Sequence, residues 1–270
     1  MAKASGRGWA LVTGASAGIG LELAKLAAAD GHDVVLVARD AARLAAAGEE
    51  ISRAHGVRHH VVAADLMDPA APEALFRAVE DAGIEVEVLV NNAGFGLYGP
   101  FVRTGAEAPT DGARELGMLQ INVVALTHLS KLFLPGMVAR GRGGVLNVAS
   151  TAAFQPGPLM AVYYASKAYV LSFSQALAVE LKETGVAVST LCPGPTRTEF
   201  QKAAAMEESR LFSAPHVMGA AEVARTGWRA LKAGKPLSIP GVVNKVLAQG
   251  TRFIPRSLAA RMALKAQERV

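Results

Sequence analysis

The length and composition of the chain allow one large globular domain. Its 270 residues are 51% hydrophobic, enough to bury a sizeable core, and no uninterrupted apolar run reaches the ~18 residues that a membrane span needs. The net charge of +5 is carried by the segment after residue 240, which holds six basic residues and one acid. The rest of the chain is neutral, so the charge does not point to nucleic-acid binding.

The N-terminus and the cysteine content favour a cytoplasmic location. Residues 1–8 are a brief polar lead with no apolar region behind them, so a secretory signal is not expected. The single cysteine, Cys192, cannot form an internal disulfide and fits a reducing compartment. We therefore expect a cytoplasmic protein.

Short apolar runs alternate with stretches of helical spacing along the chain. The predicted strands are residues 9–13, 32–38, 58–63, 86–90, 144–149, 186–191 and 236–239. The predicted helices are residues 21–27, 41–54, 72–82, 112–140, 162–182 and 221–233. Nearly all-apolar strands alternating with helices predict an α/β fold, a single doubly wound parallel sheet of the Rossmann type with helices on both faces. Ligands of such a sheet bind at the carboxyl ends of its strands.

Three glycines, Gly14, Gly18 and Gly20, follow the first predicted strand and open the first helix. Glycines in such a turn let the backbone approach a pyrophosphate, and the helix N-terminus offers unpaired N–H groups and a positive dipole to that anion. Their spacing differs from the standard G-x-G-x-x-G pattern. An ordinary strand–helix turn therefore stays open as the alternative.

The end of the second predicted strand favours NADP over NAD. NAD binding typically uses an Asp or Glu at this place to hold the ribose 2′-hydroxyl, whereas this chain has Ala38 followed by Arg39. A guanidinium suits a 2′-phosphate, and Ser16 could add a hydroxyl donor to the same group. The alternative for Arg39 is a solvated surface side chain.

Tyr163 and Lys167 lie four residues apart in a predicted helix and therefore share one of its faces. A phenol with its ordinary pKa of about 10 is a poor proton carrier near neutral pH. A nearby ammonium favours the phenolate and lowers that pKa, which would make Tyr163 usable as a general acid or base. Any long helix offers such pairs, so this pair alone does not exclude chance.

Taken together, the motifs resemble those of the short-chain dehydrogenase/reductase family. They are, in chain order, residues 13–20, residues 91–94, Asn122, Ser150, Tyr163-x-x-x-Lys167 and Pro193-Gly194. The resemblance covers about residues 9–240, and residues 91–99 and 192–198 look like the bacterial branch described as ketoacyl-reductase-like. It implies an NADP(H)-dependent enzyme that reduces a carbonyl or oxidises a secondary alcohol, with reduction the expected direction. The competing interpretation is a non-catalytic NADP-sensing or scaffold protein on the same fold.

The resemblance implies a role for each of four catalytic residues. Tyr163 would give a proton to the carbonyl oxygen as hydride arrives from the nicotinamide. Lys167 would lower the pKa of Tyr163 and bind the nicotinamide ribose. Ser150 would hydrogen-bond the substrate oxygen, although Thr151 could compete for that role. Asn122 would help to hold a water that links Lys167 to bulk solvent.

The resemblance also implies contacts with NADP(H) from the turns that follow the strands. The turns after the third and fourth strands would contact the adenosine, and the turn after the sixth would cap the nicotinamide. The expected set is Gly14, Ser16, Gly18, Ile19, Gly20, Arg39, Asp65, Leu66, Asn91, Gly94, Tyr163, Lys167, Pro193, Gly194, Thr196 and Thr198. The alternative for Asp65 is to cap the helix that follows it.

Residues 1–240 are expected to form a dinucleotide-binding catalytic domain with a substrate lid at about residues 195–219. Three segments, 95–103, 151–161 and 195–219, should line the substrate mouth. Their large apolar and aromatic side chains are Phe95, Leu97, Tyr98, Phe101, Phe154, Leu159, Met160, Phe200, Met206, Leu211, Phe212 and Met218. They predict an apolar carbonyl compound or secondary alcohol as the substrate. The histidines show no metal-ligand spacing with Cys or acids, and no metal site is predicted.

Residues 241–270 are expected to form a basic amphipathic tail of two short pieces broken at Pro255. Apolar residues recur there at near-helical spacing beside basic ones, which suggests contact with an anionic membrane surface. Packing of this face on the same subunit, or at an oligomer interface, is the favoured alternative. Pairing of the long helices 112–140 and 162–182, a habit of the family, makes a homodimer or homotetramer the expected assembly.

Overall fold

Parallel strands build the centre of the protein in the computed structural model, which describes residues 8–102, 112–199 and 217–267. The strands there are β1 Trp9–Thr13, β2 Asp33–Ala38, β3 His59–Ala63, β4 Val86–Asn91, β5 Gly143–Val148, β6 Val186–Leu191, β7 Thr196–Arg197, β8 Met218–Gly219 and β9 Leu237–Ser238. In the described ranges, seven of them form one sheet in the order β3-β2-β1-β4-β5-β6-β9. All of its pairs are parallel. The predicted doubly wound α/β fold is confirmed.

Helices cover both faces of this sheet. They are α1 Gly18–Ala29, α2 Ala41–His55, α3 Ala71–Asp81, α4 Gly112–Leu119, α5 Leu126–Ala139, α6 Ala161–Glu180, α7 Ala220–Lys232, α8 Val242–Gly250 and α9 Arg256–Gln267. Short 3₁₀ turns occupy Thr151–Phe154 and Thr251–Phe253. The first helix begins at Gly18, three residues before its predicted start.

The core forms two layers because the side chains of each strand alternate between the sheet faces. Ala10 and Val12 of β1 pack in one layer with residues of α1, α2 and α7. Leu11 lies between them in sequence and packs in the other layer with residues of α3 and α5. Both faces of β1 are therefore buried, which explains its uninterrupted apolar run.

The predicted helix 112–140 is one helical stretch, Gly112–Ala139, with a π-helical turn at Gln120–Ala125 in its middle. Among the described residues it is the one helix that is long and apolar enough to cross a membrane by length and composition, and 44% of its most apolar window is buried. Leu129, Phe133 and Met137 lie in the core layer beside the sheet. The apolar composition is therefore that of a helix packed against a sheet.

The tail beyond residue 240 packs on the domain through one narrow face only. Its buried residues are small or polar: Asn244, Ala248, Ala259, Ala263 and Gln267. The large apolar side chains of the tail stay exposed, up to 88% for Phe253. Of the two favoured alternatives for this face, packing on the same subunit is wrong, because the small residues occupy the inward face. Packing at an oligomer interface stays a prediction.

Candidate active site

The glycine turn lies between β1 and α1, at the carboxyl end of the sheet. Gly14 and Gly18 have φ angles of +67° and +56°, a left-handed conformation that glycine adopts without steric cost. A Cβ on Gly20 would collide with the carbonyl oxygen of Gly14 and with the side chain of Asn92. No described side chain caps the N-terminus of α1, which leaves its first N–H groups available to an anion. Ser16 and Ile19 lie in this same turn and are partly exposed.

Asn92, which the sequence analysis did not single out, ties this turn to the loop after β4. Its Nδ2 donates to the carbonyl of Thr13 at 2.9 Å, and the Thr13 hydroxyl accepts from the N–H groups of Asn92 and Ala93, both at 3.0 Å. β1 and β4 are neighbours at the point where the strand order reverses. Dinucleotides bind at such a point in doubly wound sheets.

The segment after β6 reaches the same place. The carbonyl of Pro193 accepts from the N–H of Thr151 at 2.8 Å, and Thr196 Oγ1 donates to the Gly194 carbonyl at 2.8 Å. The Thr198 side chain lies against Gly18, where a Cβ would meet it at 3.3 Å. The structure thus brings the segments after β1, β5 and β6 together. Residues 200–216 of the predicted lid lie outside the described residues.

The expected adenosine contacts lie after β2 and β3, which pair with Ala38 opposite Ala63. Arg39 and Asp65 are both exposed at this edge. Asp65 Oδ1 accepts from the N–H of Met67 at 3.0 Å. It therefore closes a local turn and does not cap α3, whose N-cap residue is Ala70.

Two of the expected cofactor residues, Asn91 and Leu66, have buried side chains. Asn91 is buried, and its Nδ2 donates to Ser130 Oγ at 3.2 Å and to Asn147 Oδ1 at 2.9 Å. Leu66 is 4% exposed and packs in the core with the α3 and α5 layer. Both side chains help to hold the strand ends together, and the expected contact of these two residues with the cofactor stays a prediction. Their main chains remain next to the cleft.

Tyr163, Ser150 and Lys167 converge where β5 ends and α6 begins. The Tyr163 hydroxyl shares a hydrogen bond with Ser150, and Lys167 Nζ lies 5.9 Å from the centre of the Tyr163 ring. Ser150 also accepts from the N–H of Ala152 at 3.1 Å, which fixes its side chain at the start of the 3₁₀ turn. Two hydroxyls and one amine are thus presented together to the cleft edge.

Burial raises the pKa of Tyr163 to about 12, and the hydrogen bond with Ser150 opposes that rise. The net shift is upward, so burial outweighs the lowering of this pKa that we expect from Lys167. The Lys167 ammonium faces the main chain of β5 and donates to the Val148 carbonyl at 2.9 Å. The phenol is therefore protonated throughout the neutral range.

The Lys167 amine is itself perturbed by burial. Only 6% of the residue is exposed, and this burial lowers the pKa of Lys167 from 10.5 to about 8. Gly94 lies between Lys167 and Asn122, and a Cβ at that position would collide with Asn122 Oδ1 at 2.5 Å, while Lys167 Nζ would be at an ordinary contact distance of 3.6 Å. The close approach of the loop after β4 to Asn122 therefore favours glycine at position 94.

Asn122 lies in the π-helical turn and clamps the loop after β4. Its Nδ2 donates to the Phe95 carbonyl and to Ser166 Oγ, both at 3.0 Å, and its Oδ1 accepts from the Phe95 N–H at 3.2 Å. π-helical turns often mark functional sites because the extra residue changes the direction of a side chain. Both N–H groups of the side-chain amide and one lone pair of its oxygen are used in these contacts.

Cys192 lies beside the same cluster and is fully buried. Burial raises the pKa of its thiol to about 12, and a hydrogen bond from the Ser150 main chain lowers it by less. The thiol is therefore protonated, which agrees with a packing role. Within the described ranges, no group of three or more His, Cys, Asp or Glu residues is placed to hold a metal ion.

An apolar cluster packs around Tyr163 in the region that we expect to form the substrate mouth. Leu97, Met118, Ala152, Met160, Tyr163 and Tyr164 form it, with Phe95, Tyr98 and Val162 packed against them. Four of the side chains predicted to line the mouth are in this cluster. Phe101 is 65% exposed and lies outside it.

Gln267 at the end of α9 reaches this cluster, a contact that the sequence analysis missed. Its side-chain Nε2 donates to the Tyr164 hydroxyl at 2.9 Å. Its main-chain carbonyl accepts from the Tyr98 hydroxyl at 2.9 Å. A cavity of about 700 Å³ is lined by Tyr164 and other residues of α6, by the segment from Ala153 to Pro158, and by residues of the tail between Thr251 and Ala259. Neither Tyr163 nor Ser150 lines that cavity.

Two curated relatives are similar in sequence to this chain. A protein named very-long-chain 3-oxoacyl-CoA reductase from Anas platyrhynchos is 36% identical over 196 residues. A 17-beta-hydroxysteroid dehydrogenase type 3 from Rattus norvegicus is 35% identical over 199 residues. Each match covers 72% of this chain and 61% of the relative, so the chain spans less than two thirds of their length.

Solved structures extend the likeness to nearly the whole chain. A short-chain dehydrogenase from Sphingobium yanoikuyae in complex with NADPH is 32% identical, with a TM-score of 0.78, and the match covers 92% of this chain and 94% of that one. A 7beta-hydroxysteroid dehydrogenase is 26% identical, with a TM-score of 0.84 and coverage of 96% and 97%. The family model for short chain dehydrogenases matches residues 8–209. The chain belongs to the short-chain dehydrogenase family.

Proposed function

We propose that this chain is an NADP(H)-dependent oxidoreductase that reduces the carbonyl group of an apolar substrate, with Tyr163 as the general acid. The convergence of Tyr163, Ser150 and Lys167 next to the glycine turn supports this function most strongly. A non-catalytic nucleotide sensor does not need these three side chains together.

The glycine turn fits a dinucleotide pyrophosphate. Side chains at Gly14, Gly18 or Gly20 would fill the space above the turn or strain its backbone, and the N–H groups of α1 suit an anion. Arg39 would hold the 2′-phosphate, and the NADPH in the Sphingobium structure supports NADP(H) as the cofactor. When bound, the nicotinamide supplies the hydride.

The side chains then handle the carbonyl oxygen and its proton. Ser150 donates a hydrogen bond to that oxygen and orients it toward Tyr163. Tyr163 gives up its proton as negative charge develops on the oxygen. Burial lowers the pKa of Lys167 to about 8. Its ammonium form stabilises the phenolate that results. Pro193, Gly194, Thr196 and Thr198 would bound the nicotinamide side of the cleft.

Apolar carbonyl compounds are the substrates we propose. Leu97, Met118 and Met160 surround the substrate side of Tyr163, and they provide no cation for a carboxylate. The two relatives are named for a very-long-chain 3-oxoacyl-CoA and a hydroxysteroid, compounds that carry a long acyl chain or a steroid skeleton as their large apolar part. We also propose a cytoplasmic homodimer or homotetramer, in which the long helices α5 and α6 pair.

The first test compares substrates and cofactors with the purified full chain. NADPH consumption is measured with a long-chain 3-oxoacyl-CoA, a steroid ketone and a small keto acid. We expect turnover on at least one of the first two and preference for NADPH over NADH. Turnover only on the keto acid would overturn the substrate class, and binding of NADPH without any turnover across a wider ketone panel would favour a sensor.

A matched pair of variants tests the oxygen contact. Ser150→Ala should lower kcat/KM by ~10²-fold or more because it removes a donor to the developing oxyanion. Thr151→Ala, one residue along, should change it little. The reverse result would give the role to Thr151.

A second substitution tests the cofactor choice. Arg39→Asp should reverse the preference from NADPH toward NADH, because it replaces the partner of a 2′-phosphate by a carboxylate that holds a 2′-hydroxyl. An unchanged ratio of the two Kd values, measured by calorimetry, would remove Arg39 from the site.

A further inference from the structure

The tail combines exposed apolar side chains with basic residues, and it has no acidic residue between residues 241 and 267. On α8, Val242, Val243, Val246 and Leu247 share the outward face and are 52–79% exposed. The opposite face of α8 carries the buried Asn244 and Ala248. The apolar side of this helix is therefore turned outward, which is the reverse of a helix that packs on its own domain.

The exposed apolar residues continue beyond α8. Phe253 is 88% exposed, and on α9 Leu258 and Met262 are 46% and 57% exposed. Buried Ala259 and Ala263 hold α9 to the domain. Monomeric soluble proteins seldom expose so many large apolar side chains in one segment, and such segments mark interaction sites.

The charges of the tail select the kind of partner. Residues 241–267 contain five basic residues and no acidic residue: Lys245, Arg252, Arg256, Arg261 and Lys265. Pairing this face with its own copy by a twofold axis would bring cations against cations, because a twofold interface uses the same patch on both subunits. The charges therefore favour an anionic partner. The same partner must bury the apolar side chains.

We propose that the tail is a membrane-docking segment that binds the surface of a bilayer containing anionic phospholipids. The apolar face of α8 and the Phe253 ring enter the interface between headgroups and acyl chains. The basic side chains lie at headgroup level, where long stems let the charges reach the phosphates. The link from Gln267 to Tyr164 joins this segment to the substrate side of the site.

Vesicle flotation of the full chain tests the proposal. The protein is mixed with vesicles of phosphatidylcholine alone or of phosphatidylcholine with phosphatidylglycerol. We expect binding to the anionic vesicles, weak binding to the neutral ones, and loss of binding as salt is raised. No binding to anionic vesicles at low salt would overturn the proposal.

Two sets of variants separate the apolar and the charged contributions. Val246→Ser, Leu247→Ser and Phe253→Ser combined should lower the partition coefficient by roughly tenfold or more. Val179→Ser is the control, since Val179 is 75% exposed on α6. Lys245→Gln combined with Arg261→Gln should lower partition by roughly fivefold for each charge. Arg53→Gln combined with Lys235→Gln removes the same charge elsewhere on the surface and should have little effect.

Light scattering without vesicles measures the molar mass and tests whether a second copy of the chain, and not a membrane, covers this face. Under the proposal the apolar triple variant and the unaltered chain have the same mass. A smaller assembly for the triple variant, together with vesicle binding equal to that of Val179→Ser, would make this face an interface between copies and overturn the proposal.

Discussion

Tyr163 and Tyr164 are neighbours on α6, equally buried, with their rings edge to face at 6.1 Å, yet they belong to two different regions. Tyr163 meets Ser150 and Lys167 at the ends of the sheet strands. Tyr164 meets Gln267 from the end of the tail. The sheet thus positions the group that we propose to move the proton, and a segment outside the sheet supports the substrate side.

The largest expected difference between the two regions is the loss of activity when the hydroxyl of Tyr163 or of Tyr164 is removed. Tyr163→Phe should lower kcat/KM for NADPH-dependent ketone reduction by ~10³-fold, within the range for loss of a general acid. Tyr164→Phe should change it only a few-fold, because its hydroxyl contacts the tail. Steady-state kinetics of both variants decide, and equal losses would remove the distinction.

Lys167→Met should separate activity from stability. We expect a loss of activity of ~10²-fold or more together with a gain of ~1–3 kcal/mol in the free energy of unfolding at pH 7. The pKa of Lys167 is lowered to about 8 by burial, so the unfolded chain binds this proton more tightly. The stability of the unaltered protein therefore falls as pH drops from the unfolded pKa toward 8, and Met lacks that penalty. Urea denaturation of both proteins at neutral and at strongly alkaline pH measures the difference, which should shrink at high pH.

The raised pKa of Tyr163 predicts that the rates of reduction and of oxidation depend differently on pH. Reduction needs the phenol, which is present throughout the neutral range because the pKa is about 12. Alcohol oxidation needs the phenolate, whose fraction rises about tenfold per pH unit below that pKa. Initial rates of oxidation should climb with pH while those of reduction do not. Parallel profiles would mean that Tyr163 does not carry the proton.

The smallest expected effect tests the Tyr164 region. Gln267→Leu leaves the buried Tyr164 hydroxyl without its donor, which should lower the free energy of unfolding by ~1–2 kcal/mol. We expect KM for an apolar ketone to rise with little change in kcat, since the Tyr163 region is untouched. Gln249→Leu on α8 is the matched control. A fall in kcat without a change in KM would show that the two regions are not separable.

The Tyr163 region was predictable because its signals are local. A strand, a glycine turn and a helix follow one another at β1, and Tyr163 and Lys167 are four residues apart, so periodicity and spacing identify them. The orientation of Asn91 and Leu66 was not predictable in this way. Their burial depends on partners such as Ser130 and Asn147, 39 and 56 residues from Asn91 in the chain.

The Tyr164 region was invisible in the sequence for a related reason. Gln267 and Tyr164 are 103 residues apart, and no periodic pattern connects a polar residue at a helix end with a tyrosine on another helix. The tail pattern of apolar and basic residues was readable, but its orientation was not. Only the structure shows that the small residues face the domain and the large apolar ones face outward.

A single turnover of bound NADPH tests most directly whether Tyr163 is the proton donor. The chain, its Tyr163→Phe variant and Tyr169→Phe as a control on the same helix are each loaded with NADPH and mixed with whichever apolar ketone the chain reduces fastest. We predict that all three bind NADPH, that NADPH absorbance is lost rapidly with the chain and with Tyr169→Phe, and that the rate is lower by ~10³-fold for Tyr163→Phe. Consumption of NADPH by Tyr163→Phe at the rate of the unaltered chain would contradict the mechanism.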